Sequence, residues 1–214
     1  RSAVETAARV QDPEKQKKLM GIVLDDVQRL DRLISDISEA SRLDAELSRS
    51  GAESVDLAAI LATLAEVYGT TENSHGVRVE TTVNGSADLR VRGSESRLVQ
   101  VIRNLVSNAI TFSPENGSVR LTAGADPVDG REVIITVEDD GPGIPENKLD
   151  AIFDRFYTER PTGEKFGTHS GLGLSISRQI VDASSGRLWA ENRTGVDGSV
   201  IGARFIIRLP REAN

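Results

Sequence analysis

The chain has no cysteine, and that excludes disulfides and thiolate metal sites. No stretch approaches the roughly 20 apolar residues of a membrane-spanning helix, and no signal peptide is visible. Histidine is scarce: only His75 and His169 occur. Basic excess is also lacking. The net charge is −7, so no positive field exists to collect a phosphate backbone, and nucleic acid is not expected as a partner. An anionic small ligand would need local donors or a bridging cation. The 38% apolar and 28% charged content is ordinary for a globular protein, and 214 residues suit one large domain or one domain carrying a helical appendage.

Residues 1–10 resemble the end of a helix. Asp12-Pro13-Glu14 then reads as a helix start, with Asp capping, Pro at the first helical position and Glu near the positive end of the dipole. One proline-free helix is expected from there to about Arg49. Leu19, Val23, Val27, Leu30, Ile34, Ile37 and Leu43 form its apolar stripe, widened by Leu33 and Ala40. At 1.5 Å per residue it would be roughly 50 Å long. It could lie on its own domain, but so long a stripe fits better as half of an intermolecular bundle. Residues 51–55 read as a linker.

Beyond the linker the elements alternate. Residues 57–68 form an expected helix opened by Asp56, and 77–83 and 89–92 read as strands. Residues 94–111 form a second helix with Leu98, Val101, Ile102, Leu105, Val106 and Ala109 on its buried side. Strands are expected at 119–123 and 132–138, a loop at 141–145 and a short helix at 146–153. Residues 158–170 are polar and show no periodicity. A helix at 172–183 and strands at 187–191 and 203–209 complete the order. This succession predicts an α+β fold, a two-layer sandwich of a mixed sheet with helices on one face.

Four segments carry candidate chemistry. In Asn104-Leu105-Val106-Ser107-Asn108-Ala109 the two asparagines stand four apart and share one helix face. An amide oxygen there suits Mg²⁺, although such a pair taken alone reads more readily as two solvated residues. Asp139-Asp140-Gly141-Pro142-Gly143-Ile144 leaves a strand end, where a carboxylate can accept from an exocyclic amine and glycines let a flat ring approach. In isolation it is also an ordinary Asp/Gly/Pro turn. Ile152-Phe153-Asp154-Arg155-Phe156-Tyr157 supplies aromatics that could be core. Gly167-Thr168-His169-Ser170-Gly171-Leu172-Gly173-Leu174 leads into a helix, as a phosphate cradle of backbone amides does. It is neither a Walker loop nor a dinucleotide fingerprint.

In this order and spacing the four segments resemble the N, first glycine, F and second glycine boxes of bacterial two-component sensor histidine kinases. Gly202-Ala203-Arg204-Phe205 with Leu209-Pro210 resembles the closing glycine box, and Leu30-Asp31-Arg32-Leu33-Ile34 with Ser41-Arg42-Leu43 resembles the second dimerisation helix. The run Phe156-Tyr157-Thr158-Glu159-Arg160-Pro161 is similar to that of alphaproteobacterial envelope-sensing members. The resemblance implies a Bergerat-type ATP-binding fold over residues 56–214. It also implies a partial dimerisation and phosphotransfer hairpin over 1–50, and the cytoplasmic portion of an inner-membrane sensor.

The implied cofactors are ATP and Mg²⁺. Carried over, Asp139 accepts from the adenine amino group, while Gly141, Gly143 and Ile144 shape that pocket. Asn108 ligates Mg²⁺, with Asn104 beside it, and Gly171, Leu172 and Gly173 lie along the triphosphate. Phe153 and Phe156 seat a lid over residues 158–170. Thr111 and Thr158 stand where basic residues are frequent, so the γ-phosphate would rely on Arg155, Arg160 or Lys165. Ala203 stands where Thr is frequent. The implied partners are a second copy, through helix 13–49, and a response regulator receiver domain. The phosphoacceptor histidine of the family precedes a Glu-x-x-Asn-Pro-like run that neither His75 nor His169 has; the chain is read as starting just after it and as unable to label itself. Hydrolytic relatives of the fold carry a Glu where Asn104 stands, and Asn104 offers no base for water. A serine kinase that binds sigma factors, or a non-catalytic binding module, are the other readings.

Overall fold

The computed structural model describes residues 53–70, 76–85, 88–158 and 171–212, together with scattered residues between Asp12 and Ile34. Among those last, Glu14 N–H donates to Asp12 Oδ1 at 3.0 Å, so Asp12 caps a helix as its sequence position predicts. Leu24, Val27 and Ile34 of that helical stretch are largely exposed in the single chain. No helix among the described residues is long and apolar enough to cross a membrane.

From Glu53 on, the described residues form seven strands and three α-helices: β1 (Glu53–Asp56), α1 (Leu57–Thr70), β2 (Arg78–Asn84), β3 (Arg90–Gly93), α2 (Glu95–Phe112), β4 (Ser118–Ala125), β5 (Glu132–Glu138), α3 (Gly173–Ala183), β6 (Arg187–Thr194) and β7 (Val200–Pro210). Five strands form one sheet in the order β2-β4-β5-β7-β6. Only β2 and β4 run parallel; the other pairs are antiparallel. The α+β sandwich with a mixed sheet is therefore as expected.

Period-two alternation decides which sheet face is covered. Val119, Leu121 and Ala123 of β4 and Val133, Ile135 and Val137 of β5 are buried against the helices. On α2 the six positions predicted from the 3.6 period are the buried ones. Each such fully buried aliphatic side chain contributes about 1.5–3 kcal/mol. The opposite face carries a row of alternating charge across all five strands: Glu80, Arg120, Glu138, Arg204 and Glu191 stand in cross-strand register. On the same face the sole tryptophan, Trp189, donates from Nε1 to Glu191 at 2.8 Å. The Arg187 and Arg208 guanidinium groups lie 5.5 and 5.7 Å from its ring centre.

Two expectations need correction. The linker reading extended over Glu53, Ser54 and Val55, but these residues are strand β1, paired antiparallel with β3. A short strand with a distant partner leaves no periodic signal. Its register is secured at the other end of the chain, where Ser54 Oγ and Arg92 both contact Glu212. Asp56 then closes β1 and caps α1, accepting from Ala58 and Ala59 N–H at 3.0 and 3.2 Å. The helix expected over 146–153 is two separate 3₁₀ turns, Glu146–Lys148 and Ala151–Phe153. Eight residues beginning after Pro145 bury only Ile152 and Phe153, too little apolar surface to hold a continuous helix.

Candidate nucleotide site

The site is assembled at one end of the sheet, where β5 runs out beneath α2 and α3. Asp139 is the first residue past β5 and is 2% exposed. Its N–H donates to Ala203 O at 3.0 Å, continuing the pairing with β7. Its Oδ1 accepts from Gly141 N–H at 2.8 Å and Ala203 N–H at 3.0 Å. Oδ2 has no hydrogen bond to any described residue. Burial pushes this carboxyl above its ordinary value, outweighing the two amides and nearby Arg193, which pull it down. Asp139 is therefore a desolvated acceptor with one oxygen committed to the backbone and one available.

Glycine is required beside it. A Cβ on Gly141 would stand 2.6 Å from Phe112 O and 2.9 Å from Asp139 Oδ1. The neighbouring acids behave in the opposite way to Asp139. Burial alone would raise Glu138 and Asp140, but hydrogen bonds and charge from surrounding arginines outweigh it and hold both below the ordinary carboxylate range. Glu138 pairs with Arg204, Arg193 and Arg120 at 2.6, 3.2 and 3.3 Å. Asp140 pairs with Arg120 and Arg193 at 2.7 and 3.0 Å.

The two asparagines of α2 play different parts. Asn104 Nδ2 donates to Gly173 O and Ser177 Oγ, both at 3.4 Å, so it joins α2 to the start of α3. Asn108 lies one turn on, half-buried, its side chain without a hydrogen bond to a described residue. Helix α3 begins at Gly173 without a side-chain cap. Its first N–H groups and the positive end of its dipole thus lie beside Asn104, one turn before Asn108 on α2. Leu172 is buried and anchors the turn from below, its carbonyl accepting from Ser175 Oγ at 2.9 Å.

At the foot of the expected lid, Phe156 N–H donates to Gly171 O at 2.9 Å. Both residues are left-handed, at φ 67° and 71°. For Phe156, which is 62% exposed, that conformation costs of order 1–3 kcal/mol. Phe153 is buried instead, edge-on to Phe205 and covered by Arg178. Arg155 is exposed next to Phe156. Arg160, Lys165, His75, His169 and the rest of residues 159–170 lie outside the described residues. Two residues missed from the sequence, Asn192 and Arg193, contact the Asp139 loop directly. They sit past the apparent end of β6, where no apolar alternation marks them.

With this geometry in place, similarity to known proteins can be stated. Residues 93–213 match the histidine kinase-, DNA gyrase B- and HSP90-like ATPase family. The chain belongs to that family. The match runs from the end of β3 through α2, the Asp139 loop, α3 and β7. Within the family, the chain carries the ATP-binding catalytic domain of a sensor histidine kinase. The sensor protein ChvG of Rhizobium meliloti (strain 1021) is 50% identical over 98% of this chain and 37% of its own length. ChvG of Agrobacterium fabrum is 44% identical over 98% of this chain and 36% of its own length. The chain thus spans little more than a third of these relatives, and the alphaproteobacterial resemblance holds. Among solved structures, the catalytic domain of histidine kinase ThkA is 28% identical at a TM-score of 0.62, covering 76% of this chain and 99% of that one. Full-length ShkA in complex with AMPPNP is 25% identical at a TM-score of 0.72, covering 94% of this chain and 40% of that one.

Proposed function

We propose that this domain holds ATP with Mg²⁺ between the Asp139 loop, α2 and the start of α3, and directs the γ-phosphoryl to a protein histidine. The observation that carries this reading is Asp139: a buried carboxylate with Oδ1 fixed by two main-chain amides and Oδ2 uncommitted. That is the acceptor an adenine amino group requires. Gly141 leaves the space beside that carboxylate clear, Gly143 lets the loop turn at φ 77° against Asn192 and Val200, and Ile144 would form the pocket's far side. The uncapped N–H groups of α3 would receive phosphate oxygens, and Asn108 would hold the cation, which keeps phosphates and water as its other ligands. ATP supplies the phosphoryl group; the protein supplies positioning and charge neutralisation, which do most of the work in such transfers. The γ-phosphate would rely on Arg155, Arg160 or Lys165.

Among the described residues the site offers no evident base for water. Asn104 cannot take a proton at neutral pH, and its amide is already committed to α3. Given γ-labelled ATP and a histidine-bearing dimerisation helix pair in trans, the domain should pass on acid-labile label while releasing little free phosphate without the acceptor. Acid-stable label on serine would favour a sigma-factor-binding serine kinase. Phosphate release as fast as transfer would point to the hydrolytic relatives.

Residues 1–50 are read as part of a dimerisation hairpin, 51–52 as linker, and the domain proper as starting at β1. Self-association would run along the helix from Pro13. The exposed Leu24, Val27 and Ile34 of the single chain support this, because an apolar stripe in water needs a cover. Sedimentation over a concentration series should show reversible dimers; a strict monomer at high concentration would remove the proposal. A solved complex of ThkA with the response regulator TrrA matches 98% of this chain at 26% identity. We extend from it a receiver domain as partner, within a membrane sensor whose catalytic part is cytoplasmic.

A further inference from the structure

We propose that Asn192 and Arg193 act as positioning residues for the adenine pocket, strapping the Asp139 loop from both faces of the sheet. This rests on the reading of Asp139 as the adenine acceptor. Successive residues of a strand point to opposite faces, and these two use both. Asn192 reaches the far end of the loop from the helix side: its Oδ1 accepts from Ile144 N–H and its Nδ2 donates to Ile144 O, each at 2.7 Å. Arg193 reaches the near end from the helix-free side. Its Nη1 donates to Asp139 O at 2.5 Å and to Asp140 Oδ1 at 3.0 Å, and its Nε pairs with Glu138 at 3.2 Å.

The path of Arg193 explains why it holds the loop so directly. Strand β7 lies between β6 and β5, and Arg193 stands in register with Gly202. A side chain at Gly202 would collide with Asp139 O and stand 3.0 Å from Arg193 Nη1. The missing side chain leaves the gap by which the guanidinium passes over β7 on that face. The peptide groups on both sides of Asp139 are then held, its N–H on Ala203 and its C=O on Arg193. With the backbone unable to rotate, Oδ2 keeps one direction before any ligand arrives. Such preorganisation raises affinity by removing an ordering cost from the binding step. Removing Arg193 would not orphan the acids, since Glu138 keeps Arg120 and Arg204 and Asp140 keeps Arg120. A folded variant is therefore expected.

The test compares ATP with the purine ribonucleoside triphosphate that lacks the 6-amino group, by calorimetry on the wild type, Arg193→Met and Asn192→Ala, after thermal melts. The wild type should prefer ATP. Each variant should bind ATP about tenfold more weakly but the amino-free analogue less than about twofold more weakly, because the strap acts through the aim of Asp139. Arg193→Lys, which keeps the charge on a shorter reach, should regain part of the preference. Equal losses for both nucleotides would mean general loosening and would overturn the strap. So would a preference that both variants retain in full. A wild type with no preference would remove the adenine role of Asp139 first, and the strap with it. Should Arg193→Met not fold, Asn192→Ala is judged by the same criterion.

Discussion

Asp139→Asn should abolish most ATP binding while leaving the domain folded. Asparagine keeps Oδ1, so the N–H groups of Gly141 and Ala203 retain their acceptor. Its Nδ2 then occupies the place of Oδ2 and opposes a donor to the adenine amino group. A charge-assisted acceptor contributes about 1.5–3 kcal/mol, or roughly ten- to more than a hundredfold in affinity, and the donor–donor contact adds to the loss. Calorimetry should show the loss, and unchanged affinity would take Asp139 out of the adenine role. Stability should move the other way. The carboxyl is raised by burial, so the folded chain holds this proton more tightly than the unfolded chain. Its contribution to stability is then largest at low pH and falls as pH climbs from the ordinary carboxylate value through the raised one. Asparagine carries no such penalty, and the variant should melt no lower than wild type at neutral pH. In the wild type, ATP affinity should weaken on acidification before an unperturbed aspartate would protonate.

Asn108→Ala should erase the Mg²⁺-dependent part of nucleotide affinity and lower phosphoryl transfer on the order of a hundredfold, the size of effect that follows from misplaced phosphates. The contrast with Asn104 makes this specific. Asn104 already joins α2 to α3 through Gly173 and Ser177, so its loss would disturb the cradle with or without metal. Asn108 makes no such contact, and its removal should leave the metal-free affinity nearly unchanged. Titrations with Mg²⁺ and with a chelator separate the two cases. Equal losses under both conditions would make Asn108 structural.

What the sequence disclosed depends on the range of the interaction that shaped it. The buried face of α2 is legible to the residue, although the helix runs one residue later at each end than 94–111, because burial of Leu98, Val101, Ile102, Leu105, Val106 and Ala109 follows a local period. Strand β5 was legible from Glu132 to Glu138 because its alternation is unbroken. Asp139 and its glycines were found by the order of motifs. Strand β1 was invisible, since pairing with β3 and the staple from Glu212 span most of the domain. The 3₁₀ turns read as one helix because composition does not distinguish i+3 from i+4 bonding over so few residues. Strand β6 was cut short at Glu191, because the polar Asn192, Arg193 and Thr194 break the alternation although they continue the ladder with β7. Their roles come from a gap at Gly202 on another strand, and no local pattern encodes that.

The position of Trp189 gives the protein a built-in optical probe. It is the only indole in the chain, so emission excited selectively arises from one strand. That strand is β6, and the ring stands three residues ahead of Asn192, with Arg187, Arg208 and Glu191 around it. Fluorescence during a melt therefore follows the sheet edge that carries the strap, whereas far-ultraviolet dichroism follows helices on the other side. If the two curves separate, the β6 edge loosens independently of the helical layer, and the domain is not a single cooperative unit.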